Sequence, residues 1–252
     1  MTATISFDDP RLRDDLATFL GRAGRIEDGA VRLQHISGGG TRPDAVACWV
    51  PVLRPAGILD RSPLVLGVRA LPATVLGADP VDVVDGAFDV VVPLRGLLDR
   101  LARTPADDLA ALSLPVPPER LLEAWTGRRP PRAGWERVAA LDAAALIRVA
   151  DEGMADIAQV VNATGGMLGQ VRAERVRTET WTRELPDAVR VDGNDRADDL
   201  PPAGAAFAAH ALGFLDEKSP VTVAVADGWW RLATPRGQVL VQRYSAPTPD
   251  GN

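Results

Sequence analysis

The chain has 252 residues, 46% of them hydrophobic, enough for one large core or two smaller ones. Its net charge of −6 at pH 7 excludes a global attraction to nucleic acid or to an anionic membrane. Cys48 is the one cysteine, which excludes an internal disulfide framework and a Cys-based zinc site, and no apolar run approaches the roughly 18 residues of a membrane-spanning helix.

The opening MTATISFDDPRLRDD has neither a basic n-region nor an apolar h-region, so no signal peptide is expected, and the chain reads as soluble and cytoplasmic. Lys218 is its sole lysine, and the abundance of Arg, Ala, Gly, Pro and Val reads as the codon bias of a GC-rich bacterial genome, without functional content.

The first expected element is a helix. Asp9 can cap it, Pro10 suits the first helical position, and Leu12, Leu16, Phe19, Leu20 and Ala23 form one apolar stripe ending near Gly24. Three strand-like runs follow at 30–36, 45–53 and 64–73, separated by SGGGTRPD and RPAGILDRSP, as in an antiparallel meander. A fourth, FDVVVPL at 88–94, runs into the helical pattern LRGLLDRLAR. Residues 104–134 are proline-rich and read as a connector with one short helix near Glu119–Trp125.

The next helix is capped by Asp142. Its stripe is Leu146, Val149, Ala150, Met154, Ile157, Val160 and Val161, and Gly165 and Gly166 stop it. A more polar helix, expected to be mostly exposed, spans about 167–182. An acidic loop, DGNDRADDLPP, precedes an alanine-rich helix at 203–215 that carries Phe207, Leu212, Phe214 and Leu215. Helix followed by strands occurs at both 10–53 and 203–244, a pattern compatible with duplication.

The C-terminal meander is the most legible region. VTVAVA alternates strictly, and Asp227-Gly228 suits a two-residue type I′ turn. That turn pairs Ala226 with Trp229, Val225 with Trp230 and Val223 with Leu232. Strand alternation then splits the adjacent tryptophans. Trp230 joins the face of Val223, Val225 and Leu232, and Trp229 joins that of Arg231. For TPRG, a two-residue loop pairs Leu232 with Val239, whereas a bulge at Gly237 pairs it with Leu240; hydrophobic matching favours the first.

Several motifs suggest chemistry. His35 beside Gly38, Gly39, Gly40 and Arg42 could form an oxyanion hole or an anion-binding loop, but there is no G-x-S-x-G elbow, and His35 alternates with Val31 and Leu33 as a packed histidine would. His210 sits among Phe207, Ala211 and Phe214 at helical spacing, and Cys48 sits on a valine face. Asp82, Asp85 and Asp89 flank a strand and could hold a hard cation. TGGMLG at 164–169 has the glycines of a nucleotide loop but follows a helix instead of a strand, and no GxxxxGK(S/T) occurs. Arg128, Arg129, Arg132 and Arg137 cluster around Pro130-Pro131 and Trp135, where an anion or acidic partner could bind. The helices and closing hairpin follow a winged-helix order, but the would-be recognition helix has no Lys or Arg.

The reading is an α+β fold: an antiparallel β-meander N-terminal half and a helical C-terminal half closed by a three-stranded antiparallel meander. Residues 1–103 form the β-rich half, 104–136 the connector and 137–252 the helical half. The functional expectation is a non-catalytic binding or assembly protein with a protein partner or a homo-oligomeric state. Its expected surface is Trp229, Arg231 and Leu240, an aromatic and arginine mix found at interface centres. The alternatives are a hydrolase-like small-molecule enzyme using His35 and the Gly38–Gly40 loop, with His210 as another candidate base, and a winged-helix-like DNA-binding regulator. No cofactor, metal or membrane is expected, and nucleic acid is disfavoured.

Overall fold

A computed structural model describes residues 3–55, 62–103, 112–163, 176, 178–191 and 200–243. The chain divides into two compact units. Unit 1 is Met1–Val52 with Val68–Arg128, and unit 2 is Leu53–Gly67 with Arg129–Asn252. The glycine motif at 164–169, the helix stop at Gly165-Gly166, and residues 192–199 of the acidic loop lie outside the described residues, as do parts of the connector and of the 54–63 punctuation.

Unit 1 begins with β1 (Thr4–Ser6) and α1 (Pro10–Ile26). Asp9 accepts a 2.8 Å hydrogen bond from the Arg11 amide, and Pro10 occupies the first turn, as the sequence implies. Leu16, Phe19, Leu20 and Ala23 are buried. The strands are β2 (Ala30–Ile36), β3 (Ala45–Leu53), β4 (Val65–Pro72), β5 (Thr74–Leu76), β6 (Val83–Val84) and β7 (Ala87–Pro93); α2 (Leu94–Arg103) and β8 (Ser113–Pro115) follow. β3 and β4 each contain residues of both units.

Strands β6, β7, β2 and β3 are neighbours in antiparallel order, while β5, β1 and β8 form a separate three-stranded sheet. Val31, Leu33, Cys48, Val90 and Val92 share one face by register and are all buried. Helices α1 and α2 pack together; a Cβ added to Gly24 would lie 3.2 Å from Leu94 Cδ2, so the small residue permits the approach. In the connector, the short helix expected near 119–125 is a 3-10 turn at Ala124–Gly127, and Trp125 is buried. The proline-rich sequence around it suits a single turn better than sustained helix.

Unit 2 contains β9 (Glu136–Leu141), α3 (Ala143–Ala163), α4 (178–182), α5 (Gly204–Ala211), β10 (Val221–Ala226), β11 (Trp229–Thr234) and β12 (Gly237–Gln242). Strands β9, β10, β11 and β12 are consecutive antiparallel neighbours. Asp142 accepts from the Ala144 amide at 2.9 Å and so caps α3. Leu146 and Ala150 are buried as expected, but Met154 is 41% exposed. Gly153 takes the inward position because the Phe207 ring fills it: a Cβ there would come within 2.4 Å of the ring. Val160 and Val161 lie outside the described side chains.

The expectation that 167–182 is mostly exposed is corrected at its end, where Thr180 and Trp181 are buried. Trp181 meets Phe207 edge-on at 5.5 Å and lies against Gly204, which draws α4 onto α5. Asp227 and Gly228 have φ of 38° and 77°, the left-handed conformations of a type I′ turn, and every expected pair across it is present. The two-residue register also holds at the next turn, where Leu232 faces Val239 and Trp230 faces Val241. Thr234 Oγ1 accepts from the Arg236 and Gly237 amides there, each at 3.2 Å. Phe214 packs on the Cα side of Gly237, where a Cβ would sit 2.5 Å from its ring. No described helix is long and apolar enough to cross a membrane.

Candidate functional site

In unit 1, β2 ends at the glycine loop and delivers His35 to it. The His35 Nε2 lies 3.1 Å from Asp44 Oδ2, and the Gly38 amide donates to Asp44 Oδ1 at 2.9 Å. The Gly39 amide donates to Ser37 Oγ at 3.4 Å, and the Arg42 amide to the Gly38 carbonyl at 3.2 Å. Gly39 and Gly40 adopt φ of 65° and 78°; a Cβ on Gly38 would sit 1.9 Å from the Arg42 carbonyl oxygen. The glycines therefore serve a tight self-closing loop. The Gly38 amide, then the His35 ring, hold the Asp44 carboxyl below the usual carboxylate range. The anion-binding and oxyanion readings need amides aimed outward, and those of Gly38, Gly39 and Arg42 bond within the loop.

The other candidate groups of unit 1 are also engaged. Cys48 is buried, and burial pushes its thiol up to about 12, so it stays protonated near neutral pH. Asp82 is paired with Arg120 through two hydrogen bonds of 2.8 and 2.6 Å. Asp89 is paired with Arg32 through bonds of 2.6 and 2.5 Å and also accepts from Gln34 at 3.1 Å. Among the described residues, no group of three His, Cys, Asp or Glu side chains is placed to hold a metal ion.

In unit 2, His210 lies on α5 with Nε2 3.4 Å from Asp151 Oδ1 of α3, an arrangement that ties two helices. Ala205, Ala206, Ala208 and Ala209 of α5 are fully buried. These alanine faces are enclosed, so α5 lends no support to the winged-helix reading as a recognition helix.

The terminal sheet holds the expected binding residues, with their burial redistributed. The two tryptophans do point to opposite faces. However, Trp229 is 4% exposed and Leu240 is 3% exposed, so both are core residues, not surface anchors. Trp230 is only half-buried, with the Arg243 guanidinium 4.4 Å from its ring centroid. A half-buried antiparallel sheet has one covered and one bare face, whereas this sheet buries apolar side chains on both.

Arg231 alone of the three expected surface residues keeps partial exposure. Its guanidinium carbon lies 4.5 Å from the Trp135 ring centroid. Trp135 is fixed by donation from Nε1 to the Pro131 carbonyl at 3.0 Å. Partial burial pushes the Arg231 guanidinium below its usual range. The arginine cluster around Trp135 and Arg231 are both legible in the sequence, but their contact depends on β9 pairing with β10.

Residues 1–125 match a family model described as a domain of unknown function, DUF8010, and residues 130–246 match another, DUF8185. No curated protein matches the chain. Among solved structures, the chain is similar to a sliding clamp, the DNA polymerase III subunit beta, of Bartonella birtlesii bound to griselimycin, at 12% identity and a TM-score of 0.50. The match covers 99% of this chain and 66% of that one. A putative DNA polymerase III beta subunit from Eubacterium rectale is similar at 6% identity and a TM-score of 0.50, with the same 99% and 66% coverage. The fold is thus α+β, with antiparallel sheets and a C-terminal three-stranded meander, and resembles that of sliding clamps.

Proposed function

We propose that the chain is a non-catalytic binding or assembly protein on a clamp-like scaffold, engaging a protein partner or further copies of itself through the half-buried arginines and tryptophans of unit 2. The observation that carries this reading is the Arg231–Trp135 stack, a partly desolvated cation held on an indole at a sheet surface. Arginine and tryptophan are the residue types that dominate interface energetics. The clamp-like fold supports the reading, since the similar structures are subunits of a larger polymerase. The self-closed His35 loop and the protonated Cys48 count against hydrolase chemistry.

A direct nucleic-acid role is disfavoured by the net charge of −6 and the enclosed α5. A cytoplasmic setting goes with this reading. Sedimentation velocity across a concentration series, with a pull-down comparing wild type against Trp135→Ala and Arg231→Ala, tests it. Concentration-dependent association, or partners lost by the variants, is expected. A monomer at every concentration whose partners all survive both substitutions would defeat the reading.

A further inference from the structure

Arg231 differs from five other arginines in how its charge is met. Arg32, Arg69, Arg95, Arg120 and Arg236 each reach an aspartate. Among the described residues Arg231 reaches none, and its Nε is buried without a hydrogen-bond partner. A guanidinium has five N–H donors in a planar fork that matches a carboxylate. Stacking on Trp135 satisfies one face of that plane; Nε is enclosed, and the terminal Nη donors are those a ligand can reach.

The surroundings carry charge of both signs. Arg231 pairs with Ala224 across β11 and β10, and Ala224 pairs with Arg137 across β10 and β9. Directly paired residues share a face, so the two arginines flank a small alanine with backbones about 10 Å apart, twice the strand spacing. Arg137 is exposed, and so are Arg129 and Arg132 in the loop that Trp135 anchors. Glu136, also exposed, lies between Trp135 and Arg137, so among these residues the site rests on Arg231.

We propose that Arg231, stacked on Trp135, is the docking point for an acidic peptide segment of a partner protein, a carboxylate of which bonds its terminal Nη donors. The assignment rests on the protein-binding reading above and names the chemistry of its partner. Single-stranded nucleic acid fits less well. The Trp135 face that a base would stack on is held by the guanidinium, and the whole-molecule charge opposes a long polyanion.

The test is fluorescence anisotropy with a labelled octaglutamate peptide at low salt, with an octalysine peptide and oligothymidine as comparisons. The wild-type protein should bind octaglutamate, and Arg231→Ala should weaken it by about tenfold, the value of a charge-assisted hydrogen bond. Arg231→Lys, which keeps charge but loses the fork, should fall between. Arg236→Ala, whose residue is paired with Asp216, should change nothing. Thermal melting checks that each variant is folded. Absence of octaglutamate binding overturns the proposal, as do equal effects at Arg231 and Arg236 or tighter binding of oligothymidine. If octaglutamate fails while Arg231-dependent self-association persists, the acidic-peptide assignment falls and the binding-protein reading stands. If both fail, both fall.

Discussion

Arg32 and Arg231 occupy similar settings with opposite outcomes. Each lies on a mid-sheet strand beside a tryptophan, Arg32 at 6.0 Å from the Trp49 ring centroid and Arg231 at 4.5 Å from that of Trp135. Arg32 is also gripped by both oxygens of Asp89 and is 6% exposed. Arg231 has no carboxylate among the described residues and stays half-buried. A carboxylate offsets the desolvation of a guanidinium well enough for deep burial, whereas an indole face offsets less of it. The first arginine has become part of the scaffold, and the second retains charge that a partner can use.

The strongest test of that contrast is Asp89→Ala. It leaves Arg32 buried and uncompensated and should cost about 3 kcal/mol in urea unfolding. Arg231→Ala should cost less than about 1 kcal/mol. Equal costs would erase the distinction.

The glycine loop belongs on the scaffold side of the comparison. Gly38→Ala forces a Cβ against the Arg42 carbonyl and should cost about 2 kcal/mol, read by thermal unfolding. A neutral result would mean that the loop opens easily, and would return its amides to the pool of candidate ligand donors.

Acid should act on the same side. Hydrogen bonds from Arg120 hold the Asp82 carboxyl below its ordinary 3.8, and the Gly38 amide and His35 do so for Asp44. A carboxyl with a lowered folded-state pKa binds fewer protons folded than unfolded. Its stabilisation is therefore complete above the unfolded value and is lost as pH falls below about 4 towards the folded one. Asp82→Asn should be about 1.5 kcal/mol less stable than wild type at pH 7, with the gap narrowing as pH falls below 4. A gap that stays constant down to pH 2 would show that charge is not the cause.

The smallest effect is expected at Cys48, which pairs with Leu33 on the opposite sheet face from Arg32. A thiol reagent at pH 8 should label the native protein negligibly and react once the chain is unfolded, because burial has pushed the thiol up to about 12. Rapid native labelling would show that this face opens.

Much of the fold was legible because its signals are local. The Asp9-Pro10 and Asp142 caps mark α1 and α3, and Asp227-Gly228 fixes the pairing of β10 with β11. β9 is not legible in the sequence because ERVAAL does not alternate; it is a strand through its pairing with β10, including a register shift at Val223/Ala224. Spacing alone places Met154 inward, because it cannot register that Phe207 needs the glycine next to it.

The sequence by itself determined that Trp229 and Trp230 face opposite ways, because strand side chains alternate whatever surrounds them. Which of the two is covered was decided only by tertiary structure, since burial depends on what packs against each face. That packing made Trp229 the core residue and left Trp230 beneath Arg243. The same long-range pairing brought Arg231 over Trp135 and so made a cationic platform from residues that are distant in the chain.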